Sequence, residues 1–346
     1  MNFASDNVSG AHPKLIEAIA AANAGPAMPY GNDPLTDAVT QRLRQVFEAP
    51  RAAVALVGVG TAANALALAT LCPPWGAIYA HRIAHIEVDE CNAPEFFTGG
   101  AKLTQIDGAH ALLDADALAA TLGAAGAGVV HNAQPGALSL TQATERGGTY
   151  TPEAVAGLAR IARNHGVAVH MDGTRLANAL AATGASPAEM THRAGVDVLC
   201  LGATKCGALG AEAVILFDPE AHPGRAWELA LRRKRAGHLF SKMRFVSAQM
   251  MAWLADGLWL ELGATANARA TALRKGLEAA GVEILTPAGV NLFFARLTAV
   301  QHRALQAAGA HYYTGPADTE GAVEARFVCS FATTEDEVNA AIAALS

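Results

Sequence analysis

Two segments decide the fold: Val167-Ala168-Val169-His170-Met171-Asp172-Gly173-Thr174-Arg175 and Leu199-Cys200-Leu201-Gly202-Ala203-Thr204-Lys205-Cys206-Gly207. Each is a short apolar run that ends abruptly in polar residues. A buried strand has this pattern when it delivers side chains to a site at its carboxyl end. Upstream of the first segment, Thr151 reads as a helix N-cap with Pro152 at the next position. Val155, Leu158, Ala159 and Ala162 then recur at helical spacing, and Gly166 stops the helix. Helix, tight turn and strand recur around residues 196–201, and residues 213–217 form a further strand leaving the lysine turn. The alternation predicts an α/β fold with a mostly parallel sheet covered on both faces.

The rest of the chain continues the rhythm. Residues 12–24 read as a helix, with Pro13 in its first turn, Leu15, Ile16 and Ile19 as the apolar stripe and Gly25 as its stop. A second helix carries Leu35, Val39, Leu43 and Val46 on one face. A strand over 52–57 leads into Gly58-Val59-Gly60-Thr61 and a helix through Leu71. Short β-prone runs follow at 78–80, 103–106 and 128–131. After Pro223 the pattern changes to long helices, as far as Ala280. Short strands are expected at 282–285, 291–295 and 325–329, and Thr334 with Glu337 opens the last helix as a capping box. The expected division is an N-terminal arm over 1–15, a large domain over 16–250 and a small C-terminal domain over 251–346. The boundary falls in the long helices near 245–260.

At 346 residues the chain is too long for one small core. Hydrophobic residues make up 52% and charged residues 16%, which indicates a well-buried chain with apolar surface left for a homo-oligomer to cover. The net charge of -6 and the lack of any basic block longer than Arg232-Arg233-Lys234-Arg235 argue against nucleic acid. No apolar stretch reaches the ~18 residues that span a bilayer, so no membrane partner is expected. The start lacks the regions of a signal peptide. The 5 cysteines are odd in number and form no C-x-x-C pair. A disulfide framework or metal cluster is therefore not expected, and a reducing cytoplasm fits.

An acid, an arginine and a lysine at adjacent strand ends suit pyridoxal phosphate. Asp172 would pair with the protonated pyridine nitrogen, Lys205 would form the Schiff base, and Arg175 would take a substrate carboxylate. Gly58-Val59-Gly60-Thr61 between a strand and a helix offers backbone N–H groups and a helix dipole to a phosphate. The alternative there is a plain tight turn capped by Thr61. His85 could stack on a pyridine ring and still reach a proton; its alternative is a surface histidine in a polar turn. A dinucleotide-dependent oxidoreductase using Gly58-Val59-Gly60 is a competing reading. It lacks a full G-x-G-x-x-G and an acid ~20 residues on.

With these residues in view, the chain resembles the L-threonine aldolases, in particular their low-specificity and phenylserine aldolase branch. The likeness runs from Phe3-Ala4-Ser5-Asp6-Asn7-Val8-Ser9-Gly10 and Tyr30-Gly31-Asn32-Asp33 through Gly60-Thr61-Ala62-Ala63-Asn64 and the segment from His85 to Glu90. It continues in Gln142-Ala143-Thr144-Glu145-Arg146-Gly147, the Asp172 and Lys205 segments, Gly237-His238-Leu239 and Arg326-Phe327-Val328. The resemblance implies the aspartate-aminotransferase fold type (fold type I). That is a large domain with a mostly parallel seven-stranded sheet covered by helices, and a smaller α/β C-terminal domain.

The same resemblance implies roles. Gly60, Thr61 and Thr204 would hold the phosphate, and His85 would stack on the ring. Ser5, Arg175 and Arg326 would grip the substrate carboxylate. Lys234, Arg235 and Arg244 would approach the cofactor of the same or a neighbouring subunit, a solvated helix face being the alternative. Tyr30 would cross a subunit interface to the substrate of a homodimer or homotetramer. Many members carry Asn-Thr-His-Asn where this chain has Gln142-Ala143-Thr144-Glu145, so Thr144 takes the place of the histidine near the substrate hydroxyl and His85 becomes the better candidate base. The implied reaction is reversible cleavage of an L-β-hydroxy-α-amino acid to glycine and an aldehyde. An aminotransferase or a β-eliminating lyase on the same fold is the alternative within this cofactor's chemistry.

Overall fold

The computed structural model describes residues 1–345. Its larger sheet is built from β1 (Ala53–Val57), β2 (Gly76–His81), β3 (Lys102–Ile106), β4 (Gln134–Thr141), β5 (Ala168–Gly173), β6 (Val198–Gly202) and β7 (Glu212–Leu216). The spatial order is β1-β7-β6-β5-β4-β2-β3. Strand β7 runs antiparallel to both of its neighbours, and every other pairing is parallel. The physical reason is connection length. A parallel return needs a crossover of about a dozen residues or more, and the turn between β6 and β7 is too short for one. The seven-stranded, mostly parallel sheet is the one expected from the sequence.

Helices cover both faces of this sheet. The helix Gly60–Leu71 is buried from Ala62 through Leu71. That explains its Ala- and Leu-rich sequence without a polar face. One core expectation is corrected: residues 128–131 form turns, and the strand lies at Gln134–Thr141. The Gln134 side chain accepts from the Gly128 N–H and donates to the carbonyls of Val129 and Asn132, which folds the preceding segment into a compact loop. Pro135 obscures the strand in the sequence. It is tolerated because the β2–β4 register shifts at this point, leaving Gly136 as an extra residue.

A second, antiparallel sheet comprises β8 (Glu283–Ile284), β9 (Leu292–Leu297), β10 (Tyr313–Thr314) and β11 (Val323–Val328), in the order β10-β11-β9-β8. It has its own core, in which Phe293 and Phe327 stack with centroids 5.3 Å apart. Phe3 joins that core, held by backbone bonds between its N–H and the His311 carbonyl and between its carbonyl and the Val328 N–H. The long helix Leu258–Ala279 packs against the helix Leu176–Thr183 of the larger layer and against β9 of the smaller. The division into 16–250 and 251–346 stays a proposal; the larger core reaches through Trp253, Leu254, Leu258, Trp259 and Leu262, and the smaller one takes in Phe3 and begins again at Ala270. No helix is long and apolar enough to cross a membrane among the described residues.

Gly263 sets the approach of those two helices. A Cβ there would meet the Ala177 carbonyl carbon and oxygen at 2.8 and 2.9 Å. By contrast, a Cβ on Gly157, in the helix Pro152–Asn164, would meet nothing within 4 Å. Gly263→Ala should therefore destabilise the chain by about 1–3 kcal/mol through overpacking. Gly157→Ala should stabilise it by about 0.5–1 kcal/mol. Urea unfolding midpoints moving in opposite directions would bear this out; both moving the same way would contradict it.

Candidate active site

Strands β5 and β6 pair in parallel with Asp172 opposite Cys200 and Gly173 opposite Leu201. Their carboxyl ends therefore coincide, and Asp172 and Lys205 line one cavity of about 240 Å³. Val59, Gly60 and Thr61 line it too, at the amino end of the helix Gly60–Leu71. So do His85 and Thr204. Larger surface clefts of about 610 and 720 Å³ exist elsewhere. The former lies at the amino end of β6, where Arg51 and Glu48 are already in ion pairs and no nucleophile faces the space. The smaller cavity is the candidate site, because it alone of the three brings together a buried acid and a buried lysine.

Asp172 is buried and fully engaged. Its Oδ1 accepts from the Thr174 N–H at 3.0 Å and from the Thr174 hydroxyl, and its Oδ2 accepts from Asn64 Nδ2 at 2.9 Å. Burial alone would raise its pKa. The hydrogen bonds from Thr174, the charge of Lys205 and the bond from Asn64 outweigh burial and hold it below 3.8. Asp172 is thus a fixed anion. Lys205 moves the other way: burial first, then the Arg175 charge, lowers its pKa against the opposing pull of Asp6, Asp172 and Glu212. A lowered pKa makes its amine available as a nucleophile.

Asn64 Nδ2 also donates to Glu90 Oε1 at 2.8 Å, and Glu90 Oε1 in turn meets His85 Nδ1 at 2.8 Å. One hydrogen-bonded chain therefore joins Asp172, Asn64, Glu90 and His85. Glu90 raises the His85 pKa more than burial lowers it. The His85 backbone N–H donates to Glu145 Oε1 at 2.8 Å. Glu145 itself is pushed up, mainly by burial.

Arg175 does not present an open fork. Its Nε and Nη2 donate to Asp6 Oδ2 and Oδ1 at 2.7 and 3.0 Å, and Asn291 Nδ2 adds 3.1 Å to Oδ2. Arg326 differs: it lies on β11, and its guanidinium is in no ion pair among the described residues, the Tyr313 ring centroid being 6.0 Å away. Ser5 caps the short turn Asp6–Val8 and accepts from the Asn7 N–H at 3.1 Å, beside Asp6. The Thr204 hydroxyl donates to Glu212.

The remaining expected residues fall outside the cavity. Thr144 is fully buried, and its hydroxyl donates to the His110 carbonyl at 2.7 Å and accepts from the Gly148 N–H at 2.8 Å. Within the divergent segment Glu145 bonds the His85 backbone N–H, whereas the Thr144 hydroxyl is engaged by backbone groups. Lys234 Nζ sits 4.7 Å from the Tyr30 ring centroid, Arg235 lies beside Phe96 and Phe97, and Arg244 Nη1 donates to the Gly25 carbonyl at 2.8 Å.

Sequence reasoning gave no role to Asp6, Asn64, Glu90, Glu145 or Glu212. Asn64 carries a signal, being one helical turn past Gly60 and so on the same face. Glu212 carries another, as a lone acid opening an apolar strand. Glu90 and Glu145 meet His85 only through the tertiary fold and carry none.

The Asp6–Arg175 pair fixes the N-terminal segment against the cavity. Burial by itself raises the Asp6 pKa, but the charges of Arg175 and Lys205 and the bonds from Arg175 and Asn291 bring it net below 3.8. A lowered folded-state pKa adds stability that is complete above the unfolded value and is lost as pH falls through the folded one. Asp6→Asn should therefore cost about 3–5 kcal/mol near neutral pH, the range for breaking a buried pair. The gap should close in acid below 3.8. Urea unfolding at both pH values checks it; a gap independent of pH would contradict the pair's role.

The comparisons agree with this geometry. A model of the beta-eliminating lyase family matches residues 2–300. The low-specificity L-threonine aldolase of Pseudomonas sp. (strain NCIMB 10558) is 37% identical over 337 residues, covering 97% of this chain and 94% of that protein. The solved threonine aldolase of Leishmania major superposes with a TM-score of 0.92 at 27% identity, covering 99% of this chain and 98% of that one. A serine palmitoyltransferase of S. paucimobilis, solved with pyridoxal phosphate bound, shares the fold at TM-score 0.72 and 16% identity, covering 100% of this chain and 86% of that one. With an acid and a lysine meeting at the ends of β5 and β6, and relatives matched over nearly the whole chain, this protein belongs to the beta-eliminating lyases and, among them, to the L-threonine aldolase family.

Proposed function

We propose that the chain is a carbon–carbon lyase that uses pyridoxal phosphate. It cleaves L-threonine, L-allo-threonine and related L-β-hydroxy-α-amino acids such as phenylserine, reversibly, to glycine and an aldehyde. The observation that carries this reading is the meeting of an ionised buried acid, Asp172, and a buried amine of lowered pKa, Lys205, in one cavity.

The cavity fits the cofactor by its own features. The helix Gly60–Leu71 presents N–H groups that no side chain caps, with Gly60 and Thr61 in the cavity wall. A helix amino terminus suits a phosphate. Asp172, held by Thr174 and Asn64, suits a cationic ring nitrogen, and His85 in the wall suits the ring face. When bound, the cofactor supplies an electron sink for the charge left at Cα when the Cα–Cβ bond breaks.

The chain's own residues do the rest. Lys205 would hold the cofactor through its aldehyde, and its lowered pKa favours the neutral amine that this requires. Arg326, the remaining edge of Arg175 and Ser5 orient the substrate carboxylate. That grip fixes which bond at Cα breaks. His85 takes the β-hydroxyl proton, directly or through water, and Glu90 strengthens its hold on that proton. Tyr30, Lys234, Arg235 and Arg244 are assigned to a neighbouring subunit's cavity in a homodimer or homotetramer. Five free cysteines suit a cytoplasmic setting.

Control at Cα and at Cβ should differ. Cα is fixed by Lys205, the arginine grip and His85, whereas the β-hydroxyl meets His85 and gains nothing from Thr144, whose hydroxyl is already bonded on both sides. Two L epimers should differ by about 1–2 kcal/mol, roughly five- to thirtyfold in kcat/KM. Assays of the four threonine stereoisomers for acetaldehyde release test this. Cleavage of both L isomers and neither D isomer is expected; efficient cleavage of a D isomer, or none of any isomer by holoprotein, would refute the reading.

A further inference from the structure

Glu212 opens β7 and lines the same cavity as Gly60, Thr61 and Thr204. It is fully enclosed, at 2% exposure. Its strand partners are Val57, three residues before Gly60, and Gly202, three before Lys205. A Cβ on Gly202 would meet Glu212 Oε2 at 2.8 Å and Thr174 Cγ2 at 3.0 Å, and one on Gly60 would meet Thr174 Cγ2 at 3.3 Å. Gly202 thus leaves room for the Glu212 carboxyl group and, with Gly60, for the Thr174 side chain, so that the carboxyl lies in the wall it shares with Gly60, Thr61 and Thr204, where the phosphate is assigned.

This arrangement conflicts with an ionised Glu212. A phosphate monoester carries about −1.5 to −2 charges near pH 7 and offers only acceptors. A carboxylate beside it offers only acceptors as well, and like charges repel strongly in a buried site. Thr204 has one hydroxyl proton, and here it goes to Glu212. With a proton on Glu212 the direction reverses: the acid donates, and the Thr204 hydroxyl is released to donate to the phosphate.

We propose that Glu212 is the proton-carrying member of the phosphate subsite, neutral when the cofactor's phosphate is bound, so that binding takes up one proton from solvent at this side chain. The inference rests on the reading of the cavity as a pyridoxal phosphate site. At this side chain the only bond formed is the O–H on Glu212, its proton coming from solvent; the condensation of Lys205 with the cofactor's aldehyde, which releases water, is separate from it.

The surroundings favour a proton there. Burial pushes the Glu212 carboxyl up to about 7, against the Thr204 bond and the Lys205 charge. The other groups facing it are Asp172, which is ionised and disfavours a second anion, and Cys200, whose thiol is itself raised by burial. Beyond Val57, His238 Nδ1 accepts from the Gly58 N–H at 3.3 Å, and its pKa is lowered by burial and by Arg233. Asp172 and Cys200 therefore do not titrate near neutrality, while Lys205 is coupled to Glu212, whose charge raises the Lys205 pKa.

The test uses protein stripped of cofactor. Pyridoxal phosphate is added to wild type and to Glu212→Gln, and Kd is read from the visible absorbance of the holoprotein. The free cofactor's own titration cancels in the ratio of the two Kd values, and Lys205, which Glu212 influences, is removed as a variable by repeating the comparison with Lys205→Ala in both proteins and equilibrium dialysis as the readout. From about pH 6 to about pH 9 that ratio, wild type over variant, should be flat at first and then rise about tenfold per pH unit above roughly 7, as linkage to one proton requires. A ratio constant within about twofold across the range would overturn the proposal. If neither protein develops visible absorbance, the cofactor reading itself fails, which is a distinct result. Should Glu212→Gln not fold, infrared difference spectra of wild type decide: cofactor addition above pH 7 must produce a protonated-carboxyl carbonyl band, and its absence overturns the inference.

Discussion

Asp172 and Lys205 can act on one molecule because β5 and β6 run parallel and in register, so that both strands stop at the same edge of the sheet. Every other site residue is placed relative to that edge. The helix Gly60–Leu71 brings its amino terminus to the same opening because it is buried along its length and cannot shift without exposing its apolar surface. The short turn after β6 forces β7 back antiparallel, which brings Glu212 beside Thr204. The order of the strands thus determines the order of the chemistry.

The second constraint is charge. Asp6, Asp172, Glu90, Glu145 and Glu212 surround a cavity whose nearby cations are Arg175, Arg326, Lys205 and His85. Burial raises the pKa of all five acids, and only at Asp6 and Asp172 do nearby cations and hydrogen bonds together outweigh it. Glu90, Glu145 and Glu212 end up raised. The site therefore sorts its acids into fixed anions, Asp6 holding Arg175 and Asp172 being the one proposed for a ring nitrogen, and acids that can hold a proton. This follows from the balance at each carboxylate between burial and the cations and hydrogen-bond donors around it.

Much of this was legible in the sequence. The two strand-end segments, the glycine turn before a buried helix and the capped helix at Thr151 each rest on local chemistry, and local chemistry survives folding. The strand at 134–141 was obscured because Pro135 argues against a strand unless a register shift accommodates it. The bonds of the Thr144 hydroxyl to the backbone were not legible, because a residue's place in a motif does not reveal whether its hydroxyl is already engaged. Arg175 was recognised, but its partner Asp6 lies at the far end of the chain, and no spacing rule links the two. Glu90 and Glu145 meet His85 from different segments, so only the fold shows that they orient it.

The central claim is that Lys205, at the end of β6, is the amine that holds the cofactor. Borohydride reduction of the holoprotein, followed by proteolysis and mass mapping, tests it most directly. The account requires the pyridoxyl group on the peptide containing Lys205 and on no other. A label on Lys102, Lys234 or Lys242, or no label in protein that carries the cofactor, would contradict it.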